Sequence, residues 1–393
     1  MSVIERLIPP EWREQIRRDI YRTPLSRAYA SMSDYLSDAA RTARELELIS
    51  ARGPLSRPAV ILVAVVRNEI QRLPGFLSHY RGLGVDRFMF IDNDSSDGSR
   101  ELLAGECDVD LWYARGSYFA AHKGCLWIEA VVQAIGRGHW ILRADADEFL
   151  VYDGMDRHDL KDLIALLARR GERRLSAPMV DVYGSGQIRE TPFPVGDLLR
   201  AEWWFDAAGY EVEESPYGRL LTGGPRTRVF TAPEGPIKYY LQKYPLSLYD
   251  AATSDFWVHR PYPYHWNRIP TLGALLHAKF TSDFPGRVDQ AVIEKQHSAQ
   301  SKFYRIYQAH LHRYPDLSFF GPGSRRYCGP QSLIDAGIME AIDWSAPHRS
   351  RPKAPGAMRH RLHSAARALI GTNFRFVRRL WRRAATKRQV AAP

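Results

Sequence analysis

Hydrophobic residues in the first half of the chain form short continuous runs, separated by polar segments. The longest run, AVILVAVV (59–66), is apolar throughout and rich in branched residues, which is typical of a strand buried on both faces of a parallel sheet. Three shorter runs predict further strands: RFMFID (87–92), VDLWY (109–113) and WILRA (140–144).

The segments between these runs have a helical period. Leu73, Phe76, Leu77 and Tyr80 fall on one helical face, and the segment HKGCLWIEAVVQAIGRG (122–138) predicts a helix that ends at a glycine. Strands that alternate with helices predict an α/β fold with a doubly wound, mostly parallel sheet.

The pattern divides the chain into four segments. We expect a helical N-terminal extension (1–57), in which RELELIS (44–50) is helix-like, and an α/β core (58–185). A looser half follows (186–345), rich in Pro, Gly and aromatic residues, which we expect to complete the sheet on the acceptor side. Its aromatic stretches pack in the core or against sugar rings. The chain ends in a basic amphipathic tail (346–393).

Charge changes the interpretation of the tail. The formal net charge is +11, but thirteen Lys or Arg and no acid follow from Arg349 onward, so the remainder is close to neutral. Leu369, Ile370 and Trp381 recur at helical spacing among the arginines, which predicts a helix lying on an anionic membrane surface. A disordered basic tail, or one that binds RNA, remains an alternative. The near-neutral body argues against nucleic acid as a partner.

The cellular compartment is predicted from what the sequence contains. Three cysteines without a CxxC pair indicate a reducing compartment, and the first residues, MSVIERLIPPEW, lack the apolar segment of a signal peptide. The longest apolar run is too short to span a bilayer. We therefore expect a cytoplasmic protein, peripheral on the inner face of the membrane.

Polar residues follow three of the predicted strands at the point where each strand ends. Arg67-Asn68-Glu69 follows the first strand, Asp92-Asn93 ends the second, and Asp145-Ala146-Asp147-Glu148 follows the fourth. Ligands of open α/β sheets lie at the carboxyl ends of strands. Carboxylates there suit Mg²⁺ or Mn²⁺, and such an ion usually binds substrate phosphates as well. The alternative is that these are ordinary loop acids and helix caps.

These segments resemble a known family. VVRNEIQRLPGFLSHYRGLGVDRFMFIDNDSSDGS (65–99) and HWILRADADEFLVY (139–152) are similar to family 2 glycosyltransferases. The closest resemblance is to the branch related to family 92, in which RNE, LGVD, DNxSxD and DxDEF occur in this order. The resemblance covers residues 59–152 strongly, with a weaker echo in GGPRTRVF (223–230), LQKYPL (241–246) and ALLHAKF (274–280).

The resemblance implies a GT-A fold and a metal-dependent transfer of a hexose from a nucleotide-sugar donor, as in polysaccharide biosynthesis. Asp145 and Asp147 would hold a divalent Mn²⁺ or Mg²⁺ that bridges the donor diphosphate. The donor pocket would be lined by Arg67, Asn68, Glu69 and either Asp92 or Asn93. The sequence contains no QxxRW motif, so we expect a non-processive enzyme. The resemblance implies an inverting transfer to a glycan or lipid-linked acceptor.

The remaining roles rest on the residues near these motifs. Lys243, Arg228 and Lys279 are candidates for the positive charge that assists the leaving diphosphate. His277, two residues before Lys279, would add a metal ligand or contact the diphosphate, unless it is a core histidine.

The catalytic base is expected to be Asp181 first and Glu148 second, because each lies at the end of a predicted strand near the same edge. Two other functions remain open. One is a non-catalytic nucleotide-sugar-binding module, and the other is a nucleotide-sugar hydrolase.

Overall fold

The computed structural model describes residues 32–346, apart from gaps at 57, 195, 216–217, 233–234, 237–238, 251–252, 254–258 and 297. The predicted tail, other than residue 346, and the first part of the N-terminal extension lie outside the described residues. Within the described ranges, we find no helix that is both long enough and apolar enough to cross a membrane.

A six-stranded sheet forms the centre of the molecule. Its strands are β1 (Leu46–Ser50), β2 (Val60–Val66), β3 (Arg87–Asp92), β4 (Val109–Ala114), β5 (Trp140–Arg143) and β13 (Leu246–Leu248). Their spatial order is β1-β4-β3-β2-β5-β13; the four inner strands are parallel and the two edge strands antiparallel. The predicted α/β class with a mostly parallel sheet is therefore confirmed.

The parallel register brings the polar strand ends together. Val66 at the end of β2 pairs with Asp92 at the end of β3, and Val63 pairs with Arg143 at the end of β5. The three polar segments that follow these strands consequently lie along one edge of the sheet, as the sequence predicts.

One local prediction is wrong. The segment RELELIS (44–50) is not helical: Ala43–Glu45 forms a single 3-10 turn, and Leu46–Ser50 is an edge strand. Leu46 and Ser50 are buried, whereas Glu47 and Ile49 are exposed, so the segment follows the two-residue period of a strand. Pairing with β4 outweighs the helix propensity of Glu and Leu.

Helices cover both faces of this sheet. They are α1 (Met32–Thr42), α2 (Leu73–Gly82), α3 (Ser99–Gly105), α4 (Cys125–Val131) and α5 (Leu160–Arg169). Alternate residues of β2 enter two separate cores, one with Leu62 against Phe76 and Tyr80 of α2, the other with Ile61 near Trp127 of α4. The predicted helix over 122–138 is shorter, because α4 begins at Cys125 and continues into a π-helical turn, Val132–Gly136.

A second sheet follows the first in the chain. It contains β6 (Glu148–Tyr152), β7 (Met179–Asp181) and β14 (Gly273–His277), with β14 in the middle, antiparallel to β6 and parallel to β7. Only residues 144–147 separate β5 from β6, so the chain passes from one sheet to the other across the DxD segment.

Short elements complete the second half. They are β8 (Trp204–Asp206) with β15 (Ser324–Arg326), the hairpin β9 (Tyr210–Ser215) and β10 (Gly218–Gly223), the pair β11 (Thr231–Ala232) and β12 (Gly235–Pro236), and the helices α6 (Gly224–Val229), α7 (Phe284–Glu294), α8 (Ser298–Arg313) and α9 (Pro330–Asp335).

His79 of α2 predicts an acid sensitivity of the fold. Its Nε2 lies 3.0 Å from the Leu150 carbonyl oxygen of β6, and burial lowers the pKa of His79 to about 4. Since the unfolded chain binds this proton near pH 6.5, stability should fall as the pH falls from about 6.5 towards 4. His79→Gln removes the titration and should reduce this loss by up to about 3 kcal/mol.

Urea unfolding at pH 7 and pH 4.5 would measure this effect. The control is His312→Gln, since that side chain is 64% exposed and should leave the pH dependence unchanged. Equal pH dependence in wild type and His79→Gln would contradict the assignment.

Candidate active site at the junction of the two sheets

The crossover between the sheets exposes the two aspartates of the DxD segment. Ala144 and Ala146 are buried, whereas the side chains of Asp145 and Asp147 are 68% and 13% exposed. The segment is fixed by its backbone: the Glu148 amide donates to the Asp145 carbonyl at 2.9 Å, and the Ala278 amide donates to the Asp147 carbonyl at 2.8 Å. The buried alanines and these two backbone hydrogen bonds together orient both carboxylates.

The second sheet places three polar residues side by side. His277 at the end of β14 pairs in register with Glu148 of β6 and with Asp181 of β7. Directly opposite residues in a sheet point to the same face. Glu148, Asp181 and His277 are far apart in the sequence, and the pairing register of their three strands explains why they lie side by side.

Asp181 is held firmly by two cationic partners. Its Oδ2 accepts from Arg226 Nε at 2.6 Å, and its Oδ1 lies 2.6 Å from His277 Nδ1. Burial alone would raise the pKa of Asp181, but Arg226 and His277 outweigh it and lower the pKa. A buried, paired carboxylate of low pKa is poorly suited to take a proton from an acceptor hydroxyl.

His277 links Asp181 to the DxD segment. Its Nε2 lies 3.5 Å from Asp147 Oδ2. Burial alone would lower the pKa of His277, but Asp147 and Asp181 raise it above the ordinary value. The two carboxylates therefore favour the protonated imidazole, and a metal ion at Nε2 would compete with that proton.

Lys243 holds the other side of the segment. Its Nζ forms an ion pair with Glu148 and lies 3.4 Å from Asp145 Oδ2. Burial alone would lower the pKa of Lys243, but Glu148 and Asp145 raise it, so the amine remains charged. Glu148 also lines a small cavity with Asp145 and Tyr118.

The carboxylates differ in how tightly they are bound. Asp181 has two partners at 2.6 Å, and Glu69 receives Arg287 at 2.6 and 2.9 Å. Asp145 and Asp147, in contrast, have their partners at 3.4 and 3.5 Å, beyond the usual hydrogen-bond range. The two DxD carboxylates therefore keep oxygen lone pairs for another ligand.

The charge around Asp147 also favours an ionised carboxylate. Burial would raise the pKa of Asp147, but His277, Lys279 and Arg287 together lower it well below its usual range. In the described part of the chain, no group of three or more His, Cys, Asp or Glu side chains could hold a metal ion by itself. A Mg²⁺ or Mn²⁺ bound here would need water and substrate oxygens to complete its shell, as Mg²⁺ commonly does.

The residues after β2 stabilise the loop at the same edge. Asn68 adopts a left-handed conformation (φ 55°), and its Oδ1 accepts from the Ser96 amide at 2.8 Å. Glu69 is buried against Arg287 of α7, while Arg67 is 39% exposed and pairs with Glu294 at 3.0 Å. Asn68 and Glu69 thus fix the loop, and the exposed side chain of Arg67 is open to a ligand.

The residues at the end of β3 are buried. Asp92 Oδ2 accepts from Arg100 Nε at 2.7 Å, whereas its Oδ1 has no hydrogen-bond partner among the described residues. Asn93 donates from Nδ2 to the carbonyl oxygens of Ala114 and Gly116 at 2.9 and 3.0 Å. Asn93 therefore connects β3 to the end of β4, and Asp92 retains an unused acceptor atom.

Two predicted cations have different placements. Lys279 donates to the Tyr304 hydroxyl at 3.2 Å and is close enough to Asp147 to affect its pKa. Arg228 does not join the cluster, since it binds Asp206 at 2.8 and 2.9 Å on the side of β8. Arg226, two residues earlier on α6, binds Asp181 in its place.

Sequence reasoning missed three residues of this region: Arg226, Arg287 and Lys123. The motif GGPRTRVF contains two arginines, and only the helix geometry decides which of them faces Asp181. Arg287 and Lys123 lie in segments without a motif, so their placement depends on tertiary packing.

Comparison with known proteins gives little beyond the fold. No protein-family model matches the chain, and no curated protein matches it. One solved structure that is similar is the "Crystal structure of 4-diphosphocytidyl-2C-methyl-D-erythritol synthase", at 16% identity and a TM-score of 0.22. The match covers 33% of this chain and 62% of that chain, less than two thirds of its length. A likeness of this size says nothing about function.

The buried pair of Lys243 and Glu148 predicts a coupled effect on stability. Lys243→Met would leave the Glu148 carboxylate buried without its partner and should lower the free energy of unfolding by about 3–5 kcal/mol. The double variant Lys243→Met with Glu148→Gln should recover much of that loss. Urea unfolding of both single variants and the double variant gives the coupling energy.

Asp145→Asn is the matched control, because Asp145 is exposed and its contact with Lys243 should contribute about 1 kcal/mol or less. Additive losses in the double variant would show that the two side chains do not depend on each other.

Proposed function

We propose that this protein is a metal-dependent glycosyltransferase that moves a hexose from a nucleotide-sugar donor to a glycan or lipid-linked acceptor, non-processively and with inversion. The observation that carries the proposal is the contrast in the acid cluster. Asp145 and Asp147 are loosely held at the carboxyl edge of a mostly parallel sheet, whereas Asp181 and Glu69 are tightly bound. This contrast separates carboxylates that bind a ligand from those that support them.

In this proposal Asp145 and Asp147 would hold Mn²⁺ or Mg²⁺ together with water and substrate oxygens, and His277, whose Nε2 lies 3.5 Å from Asp147 Oδ2, would position Asp147. When bound, the ion supplies Lewis-acid stabilisation of the leaving diphosphate. Asp181 then has a positioning role, because its contact with His277 Nδ1 fixes the imidazole ring. Lys243, beside Asp145, supplies positive charge next to the diphosphate.

The nucleotide lies at the ends of β2 and β3 in this proposal. Asp92 Oδ1, for which the described part of the chain supplies no partner, offers an acceptor to a ribose hydroxyl or a base N–H, and Arg67 can reach a phosphate. Asn68, Glu69 and Asn93 support the pocket by fixing its loops. Glu148 is the candidate base in this proposal, since its carboxylate lines the cavity beside Asp145, and its ion pair with Lys243 must open before it can take a proton.

Asp147→Asn tests the metal site. We expect it to abolish Mn²⁺-dependent donor binding and to lower turnover on the order of a hundredfold or more, because a ligand carboxylate contributes several kcal/mol. Binding of UDP-, GDP- and CMP-sugars, with and without Mn²⁺, is measured by calorimetry. Asp156→Asn is the control, since that side chain is 77% exposed.

The outcomes separate the alternatives. Near-normal metal-dependent binding in Asp147→Asn would refute the metal assignment. Donor binding by the wild type without any turnover would indicate a binding module, and donor consumption that needs no acceptor would indicate a hydrolase.

We also propose that the tail holds the enzyme on the cytoplasmic leaflet of a membrane. The tail combines thirteen basic residues after position 348 with apolar residues at helical spacing. Each basic side chain near an anionic surface contributes about 1 kcal/mol, and apolar side chains in the interface add to this.

Vesicle co-sedimentation tests the tail. The full chain should bind anionic vesicles and release them as salt is raised, because the attraction is electrostatic. A truncation that ends at Ser345 should stay in the supernatant. Equal binding of both proteins, or equal binding to neutral and anionic vesicles, would show that the tail is not the anchor.

A further inference from the structure

A second cavity lies beside the acid cluster and has the opposite chemical character. It has a volume of about 280 Å³ and is walled by tyrosines of α8 and of the segment before β13, among them Tyr239, Tyr304 and Tyr307. Lys123, Arg226 and Lys279 also line it, and the described residues around it include no carboxylate. Its volume is just below the range of about 300–1,000 Å³ that is usual for ligand pockets.

Arg226 brings an unused donor to this cavity. Its Nε is committed to Asp181, but its Nη2 is buried and has no hydrogen-bond partner in the described part of the chain. Arg226 is only 7% exposed, so this donor is withheld from bulk water. A buried guanidinium donor without an acceptor is costly unless a ligand supplies one.

Lys279 and Lys123 add positive charge to this cavity, and Asp147 acts on Lys279 from outside the cavity lining. Within the described ranges, the Lys279 ammonium donates to a neutral group, the Tyr304 hydroxyl at 3.2 Å, and lies 5.2 Å from that ring centroid. Lys123 forms no ion pair with any carboxylate in the described ranges. Cations that line a cavity free of carboxylates favour an anionic occupant.

The backbone at Lys123 is held in an unusual conformation. His122, Lys123 and Gly124 have φ values of 49°, 59° and 74°, three consecutive left-handed residues. This conformation is unfavourable for the two residues that carry a Cβ. Gly124 is required, because a Cβ there would lie 2.7 Å from Val65 Cγ2. The turn directs Lys123 to a position where it lines both this cavity and the one that contains Asp145.

We propose that this cavity binds an acidic pyranose of the acceptor, a uronic acid or a sugar phosphate, with the tyrosines against the ring and Lys123, Lys279 and Arg226 around its negative group. The proposal deepens the proposed function, on which it rests, by naming the acceptor class. The aromatic walls distinguish it from a site for a simple ion, since stacking needs a ring.

The first experiment compares ligands on the full chain by ligand-observed NMR. The probes are glucuronate, glucose 6-phosphate, glucose and inorganic phosphate. The two acidic sugars should bind at least about tenfold more tightly than glucose, because a hydrogen bond to a charged group is the stronger kind. Glucose binding as well as glucuronate would overturn the charge assignment, and inorganic phosphate binding as well as the acidic sugars would overturn the ring assignment.

The second experiment uses Lys123→Met, which keeps the length of the side chain and removes its charge. Binding of glucuronate should weaken at least about tenfold. Lys302→Met is the control, because Lys302 is an exposed lysine of α8 that does not line the cavity. Unchanged glucuronate binding in Lys123→Met would refute the proposal.

Competition separates this site from the donor site. A nucleoside diphosphate with Mn²⁺ should leave glucuronate binding in place, and Lys123→Met should keep its affinity for that nucleotide within about threefold, which is well under the tenfold effect of a charged hydrogen bond. Displacement of glucuronate by the nucleotide would assign the cavity to the donor and overturn the acceptor proposal. Lys123-dependent glucuronate binding in a protein that binds no nucleotide-sugar would instead refute the proposed function and leave the anion site standing.

Discussion

The concentration of carboxylates at one edge of two sheets is the constraint on which the rest of this site depends. Parallel strands must end on the same side, and the four-residue crossover at residues 144–147 brings a second sheet against that edge. Several acids are therefore gathered in partly buried surroundings, where their mutual repulsion is poorly screened. The fold compensates with cations taken from distant segments of the chain: Arg226, Lys243, His277, Lys279 and Arg287.

The cations do not pair with all of the carboxylates equally closely, and this difference decides which carboxylates remain available to a ligand. Cations bind Asp181 and Glu69 closely, so that these carboxylates act as fixed supports. The cations next to the DxD carboxylates lie farther away, at 3.4 and 3.5 Å, so they act on these carboxylates without a short hydrogen bond. The surrounding cations lower the pKa of Asp147, and the oxygen atoms of both carboxylates are not occupied by short hydrogen bonds. A hard divalent cation prefers this combination of negative charge and available oxygen ligands.

The sequence predicts the inner strands well, because a strand buried on both faces carries its signal in every residue. Val60–Val66 and Arg87–Asp92 are found nearly where the apolar runs indicate. The edge strand Leu46–Ser50 was predicted as helix, since its Glu and Leu residues favour a helix and only pairing with β4 makes it a strand. Long-range pairing is not encoded in a local pattern. The strand Leu246–Leu248 is likewise too short to recognise without its partner.

The candidate site shows the same difference between residues predicted from a local pattern and residues placed by long-range packing. Asp145 and Asp147 could be predicted because a polar pair directly follows an apolar strand, and the structure places His277 beside Asp147. The positions of Arg226 and Lys123 could not be predicted, since they depend on which way a short helix faces and on a left-handed turn.

The left-handed turn at Lys123 is the physical link between the two cavities. Lys123 borders both, so a negative charge in one of them changes the electrostatic potential felt by a ligand in the other. An anion beside Lys123 would offset part of the positive charge near Asp145, which favours a cation at the DxD carboxylates. Any such coupling between the two cavities acts through one shared side chain, so we expect it to stay within the limit of about threefold given for Lys123→Met, and by thermodynamic linkage it is equal in both directions.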